Sequence, residues 1–194
     1  MAASKREPLI LALRDLIKWM QSERATMMII GGLAVSLLGR ARTTKDIDAV
    51  VSLPMEKWLS FVESGAKFHF QPRIKDWFEF AQQSMVILLQ HVSTGTPIDL
   101  SIGGTSFEQQ ALSHVQYASL KRIKVPLPRV SDLIIFKAIA RRPTDWADID
   151  GLLKSNMDVD QSHIQGWLHE FAEILADETI VTDYLEFVGN NKRR

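Results

Sequence analysis

A double glycine between an apolar strand and a short helix constrains this fold more than any other feature. Met27–Ile30 is a short apolar run that ends at Gly31 and Gly32, and residues 33–38 then have helical spacing up to Gly39. Glycines at such a turn let backbone amides approach a phosphate, and the helix N-terminus favours its negative charge. A tight turn without a ligand is the alternative interpretation.

Two aspartates follow the double glycine on a predicted strand over residues 46–51, DIDAVV. Side chains alternate between the faces of a strand, so Asp46 and Asp48 share one face while Ile47 and Ala49 point into the core. Two adjacent carboxylates repel each other unless a cation lies between them. Hard oxygen ligands of this kind suit Mg²⁺ or Mn²⁺, which also bind substrate phosphates. An exposed strand face with two solvated aspartates is the alternative.

A third carboxylate lies on another predicted strand, over residues 98–102. Asp99 and Ser101 share the face opposite its apolar residues. If this strand lies beside residues 46–51, three carboxylates converge, and three carboxylates can hold two metal ions. An isolated surface aspartate is the alternative interpretation of Asp99.

Apolar periodicity and turn residues predict the remaining elements. We expect helices at 8–20, 55–63, 76–83 and 107–113, a loop at 65–75, strands at 85–90 and near 118–125, and helices at 131–142, 144–154, 160–176 and 178–189. The strand near 118–125 is expected to end before Pro126 and Pro128. The chain is thus predicted to divide into a mixed α and β part, residues 1–128, and a helical part, residues 129–194.

A lysine stands alone in one of the predicted C-terminal helices. Lys137 is the only charged residue in LIIFKAIA, residues 133–140, so its amino group must reach solvent or find an anion. A triphosphate is one such anion. Asp145 and Asp148 share a face of the next helix, which Thr144 is placed to cap. Their alternative role is to stabilise the dipole of that helix.

Composition excludes several classes of protein. Lys plus Arg and Asp plus Glu both number 23, so the chain is not a uniformly basic nucleic-acid binder, although local basic patches stay open. It has no cysteine, which excludes disulfides and thiolate zinc sites. The longest uncharged stretch, residues 25–39, is shorter than the roughly 20 apolar residues of a membrane span. We therefore expect a cytoplasmic protein without a membrane segment.

The stretch GGLAVSLLGRARTTKDIDAVV, residues 31–51, resembles the signature of the nucleotidyltransferase superfamily. That signature is a glycine turn, about ten further residues, an acidic strand and a later acidic strand. VSDLIIFKAIARRPTDWADIDGLL, residues 130–153, is similar to the AbiEii-like toxins and minimal nucleotidyltransferases. The resemblance spans residues 27–153. It implies an α+β, polymerase beta-like nucleotidyltransferase fold, with a mixed sheet flanked by helices and a C-terminal helical part that completes the site.

The resemblance also implies roles for individual residues. Asp99 would be the third carboxylate, acting as a metal ligand or as the base for the incoming hydroxyl. Two departures from the family pattern are Thr144, where lysine is common, and Ser131, where glutamate is common. The residues implied for catalysis are Asp46, Asp48, Asp99 and Lys137, and the same three aspartates are implied as metal ligands. Those implied for nucleotide binding are Gly31, Gly32, Arg42, Lys137, Asp145 and Asp148. Arg42 is equally explained as a solvated loop residue.

The implied activity is transfer of a nucleoside monophosphate from a nucleoside triphosphate to an acceptor hydroxyl, with Mg²⁺ or Mn²⁺. The acceptor would be a tRNA 3′ end, a protein side chain or a small molecule such as an aminoglycoside. The AbiEii-like resemblance further implies a toxin with an antitoxin partner. The alternatives are a catalytically inactive nucleotide-binding or partner-binding module on the same fold, and a structural helical adaptor in which the paired aspartates are accidental.

Overall fold

The structure is a computed structural model that describes residues 7–191 of the 194-residue chain. Its helices are α1 (Glu7–Glu23), α2 (Gly31–Leu38), α3 (Trp58–Gly65), α4 (Trp77–Ser84), α5 (Ser106–Ser113), α6 (Val130–Ala140), α7 (Pro143–Ser155), α8 (Gln161–Leu175) and α9 (Thr179–Asn191). Its strands are β1 (Met27–Ile30), β2 (Ile47–Val51), β3 (Phe70–Pro72), β4 (Val86–His91), β5 (Thr96–Ile102), β6 (Gln116–Leu120) and β7 (Ile123–Leu127). Short 3-10 helices lie at Met55–Lys57 and Ala66–Phe68.

Five strands form one mixed sheet in the order β1-β2-β5-β4-β3. The pair β2 and β5 is parallel, and the other three pairs are antiparallel. Strands β6 and β7 form a separate antiparallel hairpin. The mixed sheet and the run of helices after it agree with the α+β class expected from the sequence.

The chain forms two compact units. Of the described residues, the first contains 7–33 and Thr43–Leu127, and the second contains Ala34–Arg42 and 128–191. In the first unit α1 packs through Trp19, whose ring stacks on Phe61 and on Phe70 at centroid distances of 4.3 and 5.3 Å. The second unit has its own core, built from buried apolar side chains of its helices: Leu133, Ile134, Ile149, Leu152, Ile164, Leu168 and Tyr184.

Most predicted elements are confirmed to within a few residues, and two are wrong. The segment predicted as a loop over 65–75 contains β3, which pairs with β4 at the edge of the sheet. Three residues are too few to show alternation, so no sequence pattern predicts this strand.

The single strand predicted near 118–125 is a hairpin. Its turn is made by Lys121 and Arg122, whose φ angles are 43° and 68°. Such left-handed turns usually contain glycine or asparagine, so the sequence carries no turn signal here. Pro126 lies within β7, opposite Tyr117, rather than beyond the end of the strand. Within the described residues no helix has both the length and the apolar character needed to cross a bilayer.

Candidate functional site

The parallel pairing of β2 with β5 places Asp48 and Asp99 side by side as cross-strand partners. Their neighbours Ile47, Ala49, Ile98 and Leu100 are all fully buried. Because side chains alternate along both strands, the two aspartates lie on the opposite face of the sheet. Neighbouring strands are about 4.8 Å apart, so like charges in partner positions repel each other. The pair is therefore a place where a cation is stabilising.

Asp46 precedes β2 by one residue, since the strand begins at Ile47 rather than at the predicted residue 46. Its side chain is exposed, Ile47 is buried and Asp48 is half-buried, so burial alternates as expected for one shared acidic face. The hydroxyl of Thr44 donates to Asp46 Oδ1 at 2.6 Å. We call Asp46, Asp48 and Asp99 the carboxylate face.

The first glycine of the turn makes room for the carboxylate face. Gly31 has a φ of +62°, and a Cβ built on it would lie 1.8 Å from Asp48 Oδ2. Its neighbour Ile30 pairs with Asp48 across β1 and β2. Any side chain at this position would therefore displace Asp48 as well as strain the backbone. Gly32 is buried in the first turn of α2, which begins at Gly31.

An arginine that the sequence did not indicate belongs to the same face of the sheet. Arg73 forms an ion pair with Asp99 through its terminal guanidinium nitrogen. Its backbone N–H donates to the carbonyl of Leu88 at 2.9 Å, and Leu88 is the cross-strand partner of Asp99 on β4. Arg73 reaches Asp99 only because β3 pairs with β4, and that pairing leaves no signal in the sequence.

The remaining predicted site residues lie in the second unit, around Lys137. The lysine is 5% exposed, and its Nζ lies 2.8 Å from Asp145 Oδ1 and 3.0 Å from Asp148 Oδ2. Both aspartates are buried on α7, one turn apart. The anion that the isolated lysine requires is thus supplied by its own chain. Its predicted contact with phosphate stays a prediction.

Two arginines complete this group, which we call the lysine cluster: Lys137, Asp145, Asp148, Arg42 and Arg142. Arg42 donates from one nitrogen to both oxygens of Asp148, at 2.7 and 3.0 Å. Arg142 Nε donates to Asp145 Oδ2 at 2.7 Å. The cluster therefore satisfies each buried carboxylate with more than one cation.

Asp145 also closes the start of α7. The backbone N–H of Arg142 donates to Asp145 Oδ2 at 3.1 Å, and the helix begins at Pro143 with Arg142 as its N-cap. Thr144, the residue predicted to cap this helix, lies inside it. Burial of Asp145 acts to raise its pKa, but hydrogen bonds from Arg142 and Lys137 outweigh burial and leave the pKa below its ordinary value.

The donor chemistry of the carboxylate face fits a divalent cation at Asp46 and Asp48. Both offer hard oxygen ligands, and Asp48 lies against Gly31, where the missing Cβ leaves space for its carboxylate. Within residues 7–191, no three His, Cys, Asp or Glu side chains are arranged so that they could hold a metal ion together. Asp99 is engaged by Arg73, so its predicted role as a metal ligand stays a prediction.

Comparison with known proteins gives a match in structure alone. No model of a known protein family matches the sequence, and no curated protein matches it either.

Three solved structures are similar in fold. The lincosamide antibiotic adenylyltransferase LnuA has a TM-score of 0.54 at 13% identity, over 75% of this chain and 96% of that protein. An antigenic nucleotidyltransferase-like protein from Paracoccidioides brasiliensis has a TM-score of 0.55 at 16% identity, over 93% and 94% of the two chains. The antibiotic-resistance factor ANT(2'')-Ia has a TM-score of 0.54 at 11% identity, over 96% and 98%. At these identities the likeness concerns the fold, and it confirms that this chain has the nucleotidyltransferase fold.

Proposed function

We propose that the chain transfers a nucleoside monophosphate from a nucleoside triphosphate to an acceptor hydroxyl at the carboxylate face. The observation that carries this proposal is the register of β2 and β5, which makes Asp48 and Asp99 cross-strand partners beside the turn at Gly31. Adjacent carboxylates on one face of a sheet repel each other, and a bound cation would reduce that repulsion. The nucleotidyltransferase fold supports the same reaction class.

Asp46 and Asp48 would hold a divalent cation, Mg²⁺ or Mn²⁺. When bound, this ion would neutralise negative charge on the triphosphate and make its α-phosphorus easier to attack. The glycine turn would receive phosphate oxygens at the N-terminus of α2. The position of the Asp48 carboxylate is set by the register of β2 against β1 and by its packing against Gly31.

The reaction would then proceed by substitution at the α-phosphorus. The acceptor oxygen forms a bond to that phosphorus, the bond to the bridging oxygen breaks, and pyrophosphate leaves with the electron pair. The acceptor proton passes to Asp99 or to water. The chain contributes mainly position and fixed charge, which account for most of the acceleration in phosphoryl chemistry.

The acceptor is proposed from two sources. LnuA and ANT(2'')-Ia are an antibiotic adenylyltransferase and an antibiotic-resistance factor, which supports a small-molecule hydroxyl as one candidate. The resemblance to AbiEii-like toxins instead favours a tRNA 3′ end or a protein side chain, with an antitoxin as partner. An assay that offers all three acceptor types decides between them.

The direct experiment is to incubate the purified chain with each α-labelled nucleoside triphosphate, Mg²⁺ or Mn²⁺, and total tRNA, cell lysate or an aminoglycoside. We expect label on one acceptor class, loss of transfer with a chelator, and loss of transfer in the Asp46→Asn, Asp48→Asn variant. Asp158→Asn, which removes an exposed carboxylate of the second unit, is the matched control and should retain transfer.

A catalytically inactive binding module is the second candidate, and the pairing of Arg73 with Asp99 favours it, since that pair reduces the negative charge of the carboxylate face. Nucleotide binding without transfer to any acceptor would support this candidate. Absence of both binding and transfer would contradict both candidates.

A further inference from the structure

The hairpin of β6 and β7 is a local concentration of positive charge in a chain of zero net charge. Residues 109–127 contain no Asp or Glu. Lys121, Arg122 and Lys124 are all exposed on this hairpin. Among the described residues, none of these three side chains forms an ion pair. The hairpin therefore presents cations that its own unit does not neutralise.

The turn of this hairpin is built from residues that disfavour its backbone conformation. Lys121 and Arg122 both have left-handed backbone angles. A two-residue turn of this kind favours Asn-Gly, because the Cβ of other residues crowds the backbone in the left-handed region. Strained residues cluster at functional sites, so the strain of this turn is consistent with a function for its two cationic side chains.

A cleft of about 350 Å³ lies beside the hairpin, next to α1 and the start of β1, and its volume is within the range of small-ligand sites. Tyr117 and Lys124 line this cleft together with Gln21 of α1 and Met27 of β1. Lys124 Nζ lies 4.2 Å from the centroid of the Tyr117 ring, and 59% of Tyr117 is exposed. The cleft thus combines an accessible aromatic ring, a cation and an amide.

Cations beside an exposed aromatic ring match the chemistry of single-stranded nucleic acid. Lys and Arg side chains bind the phosphates, and unpaired bases stack on aromatic side chains. Bases within a duplex are stacked on each other and do not offer a face to such a ring. An acidic protein would account for the cations, but not for the ring and the cleft.

We propose that the β6–β7 hairpin binds an unpaired stretch of a nucleic-acid acceptor, with phosphates on Lys121 and Arg122 and one base against Tyr117 in the cleft. Strand β1 runs from the cleft at Met27 towards the glycine turn at Gly31, a distance of about 13 Å at roughly 3.3 Å per residue. A strand of a few nucleotides could contact both places. This inference rests on the proposed function, because it takes the bound strand to be the acceptor of nucleotidyl transfer.

The test is the affinity of the chain for a fluorescent single strand of about 12 nucleotides, measured by anisotropy between about 50 and 200 mM salt. Three phosphate contacts predict a slope of log affinity against log salt of about −2. Lys121→Asn, Arg122→Gly removes two cations and gives the turn its preferred residues, so its urea midpoint should rise. Its slope should decrease to about −0.7, and it should bind about 10-fold or more weakly.

The control variants separate a local surface from total charge. Lys67→Gln, Lys154→Gln removes two exposed lysines that lie outside the hairpin and the cleft, and it should keep the native affinity within about twofold. Tyr117→Ala should weaken binding by about fivefold or more at an unchanged salt slope, which is the effect of one stacked base. Tyr117→Phe, which keeps the ring, should bind as the native chain does.

The strand is prepared both as RNA and as DNA, because phosphates and bases are common to the two, and a difference in affinity shows which of them the chain prefers. Native affinity and slope in Lys121→Asn, Arg122→Gly, or no binding of either strand by the native chain, would overturn the hairpin surface and leave the proposed transferase standing. Equal competition by poly-glutamate would overturn it in favour of an acidic protein partner.

Binding is measured without a nucleoside triphosphate, so it is independent of transfer. Hairpin-dependent binding of the strand, together with transfer of label to its end, would support the inference. Hairpin-dependent binding without transfer to any acceptor would instead overturn the proposed function and, with it, the role of the strand as acceptor.

Discussion

The carboxylate face and the lysine cluster are both dense groups of charge, but they differ in exposure and in charge balance. The carboxylate face carries three aspartates and one arginine, and its side chains are exposed or half-buried. The lysine cluster carries two buried aspartates, one buried lysine and two arginines that reach it from more exposed positions. Their charges sum to −2 and +1 respectively.

This difference separates an exposed, mostly acidic group from a buried group whose carboxylates are paired with cations of the chain. Buried carboxylates must be paired, and Asp145 and Asp148 each have two cationic partners within their own unit. The carboxylate face keeps excess negative charge at a surface where water and ions have access. We therefore expect changes in the carboxylate face to reduce activity at constant stability, and changes in the lysine cluster to reduce stability first.

The largest effect is expected for Asp48→Asn, which removes a charge but little volume. Nucleotide transfer should fall by about 10³-fold, a magnitude typical for loss of one positioned electrostatic group. The free energy of unfolding, measured in urea, should fall by less than about 0.5 kcal/mol, because the side chain is half-buried and removal of the charge relieves repulsion from Asp99. A strongly destabilised variant would mean that Asp48 is structural.

Lys137→Met should reduce stability more than it reduces nucleotide transfer. It leaves two buried carboxylates with one cation each, and breaking a buried ion pair costs about 3 kcal/mol of folding free energy. Urea unfolding measures this loss, with Lys154→Met as the control, since Lys154 is exposed and pairs with Asp150 on the same helix. If Lys137→Met has the same urea midpoint as the native chain, the lysine does not stabilise the fold, which would favour a role in binding a ligand.

A smaller effect is expected for Gly31→Ala. The added Cβ would meet the Asp48 carboxylate, and a left-handed alanine costs roughly 1–2 kcal/mol. Transfer should fall together with stability, because Asp48 must shift. Gly166→Ala is the matched control in α8: no atom lies within 4 Å of its Cβ, so we expect a gain of up to about 1 kcal/mol with transfer unchanged. Full activity in Gly31→Ala would show that the glycine turn does not contribute to the site.

The smallest effect concerns pH and a group outside both regions. Burial lowers the pKa of His91 despite the opposing influence of Asp15, whose Oδ2 lies 3.4 Å from His91 Nε2. A lowered folded-state pKa means that the unfolded chain binds the proton more readily. The contribution of His91 to the free energy of unfolding should therefore be fully present above the ordinary histidine pKa of 6.5, and it should decrease as the pH falls below that value.

Lowering the pH from 7.5 to 5.5 should remove at most about 1.4 kcal/mol of the His91 contribution to stability, measured by thermal unfolding of the native chain. His91→Gln should reduce this pH dependence, whereas His114→Gln, a change of an exposed histidine, should leave it unaltered. Equal pH dependence in the native chain and in His91→Gln would show that other groups govern it.

Local sequence patterns predicted the parts of the site that depend on one strand or one turn. Alternation around Asp48 and Asp99 placed both on the polar face, and the glycine turn at Gly31 was evident from its flanking elements. The register that makes the two aspartates partners is a property of the assembled sheet. From the sequence, their proximity followed only if the two strands were neighbours. Arg73 was missed for the same reason, since it reaches the site through the pairing of β3 with β4.

The lysine cluster shows the same limit. The isolated Lys137 and the shared face of Asp145 and Asp148 follow from helical periodicity. Their mutual pairing does not, because it depends on how α6 packs against α7. The sequence therefore indicated a missing anion and could not distinguish a bound phosphate from an aspartate of the neighbouring helix.

The most direct test of the account is calorimetric titration of the native chain and of the Asp46→Asn, Asp48→Asn variant with a non-hydrolysable ATP analogue, with and without Mg²⁺. We expect nucleotide binding that requires Mg²⁺ in the native chain and that weakens by about 10-fold or more in the variant while the fold is retained. Equal affinity in both proteins, or native binding that is indifferent to Mg²⁺, would contradict a cation site at the carboxylate face.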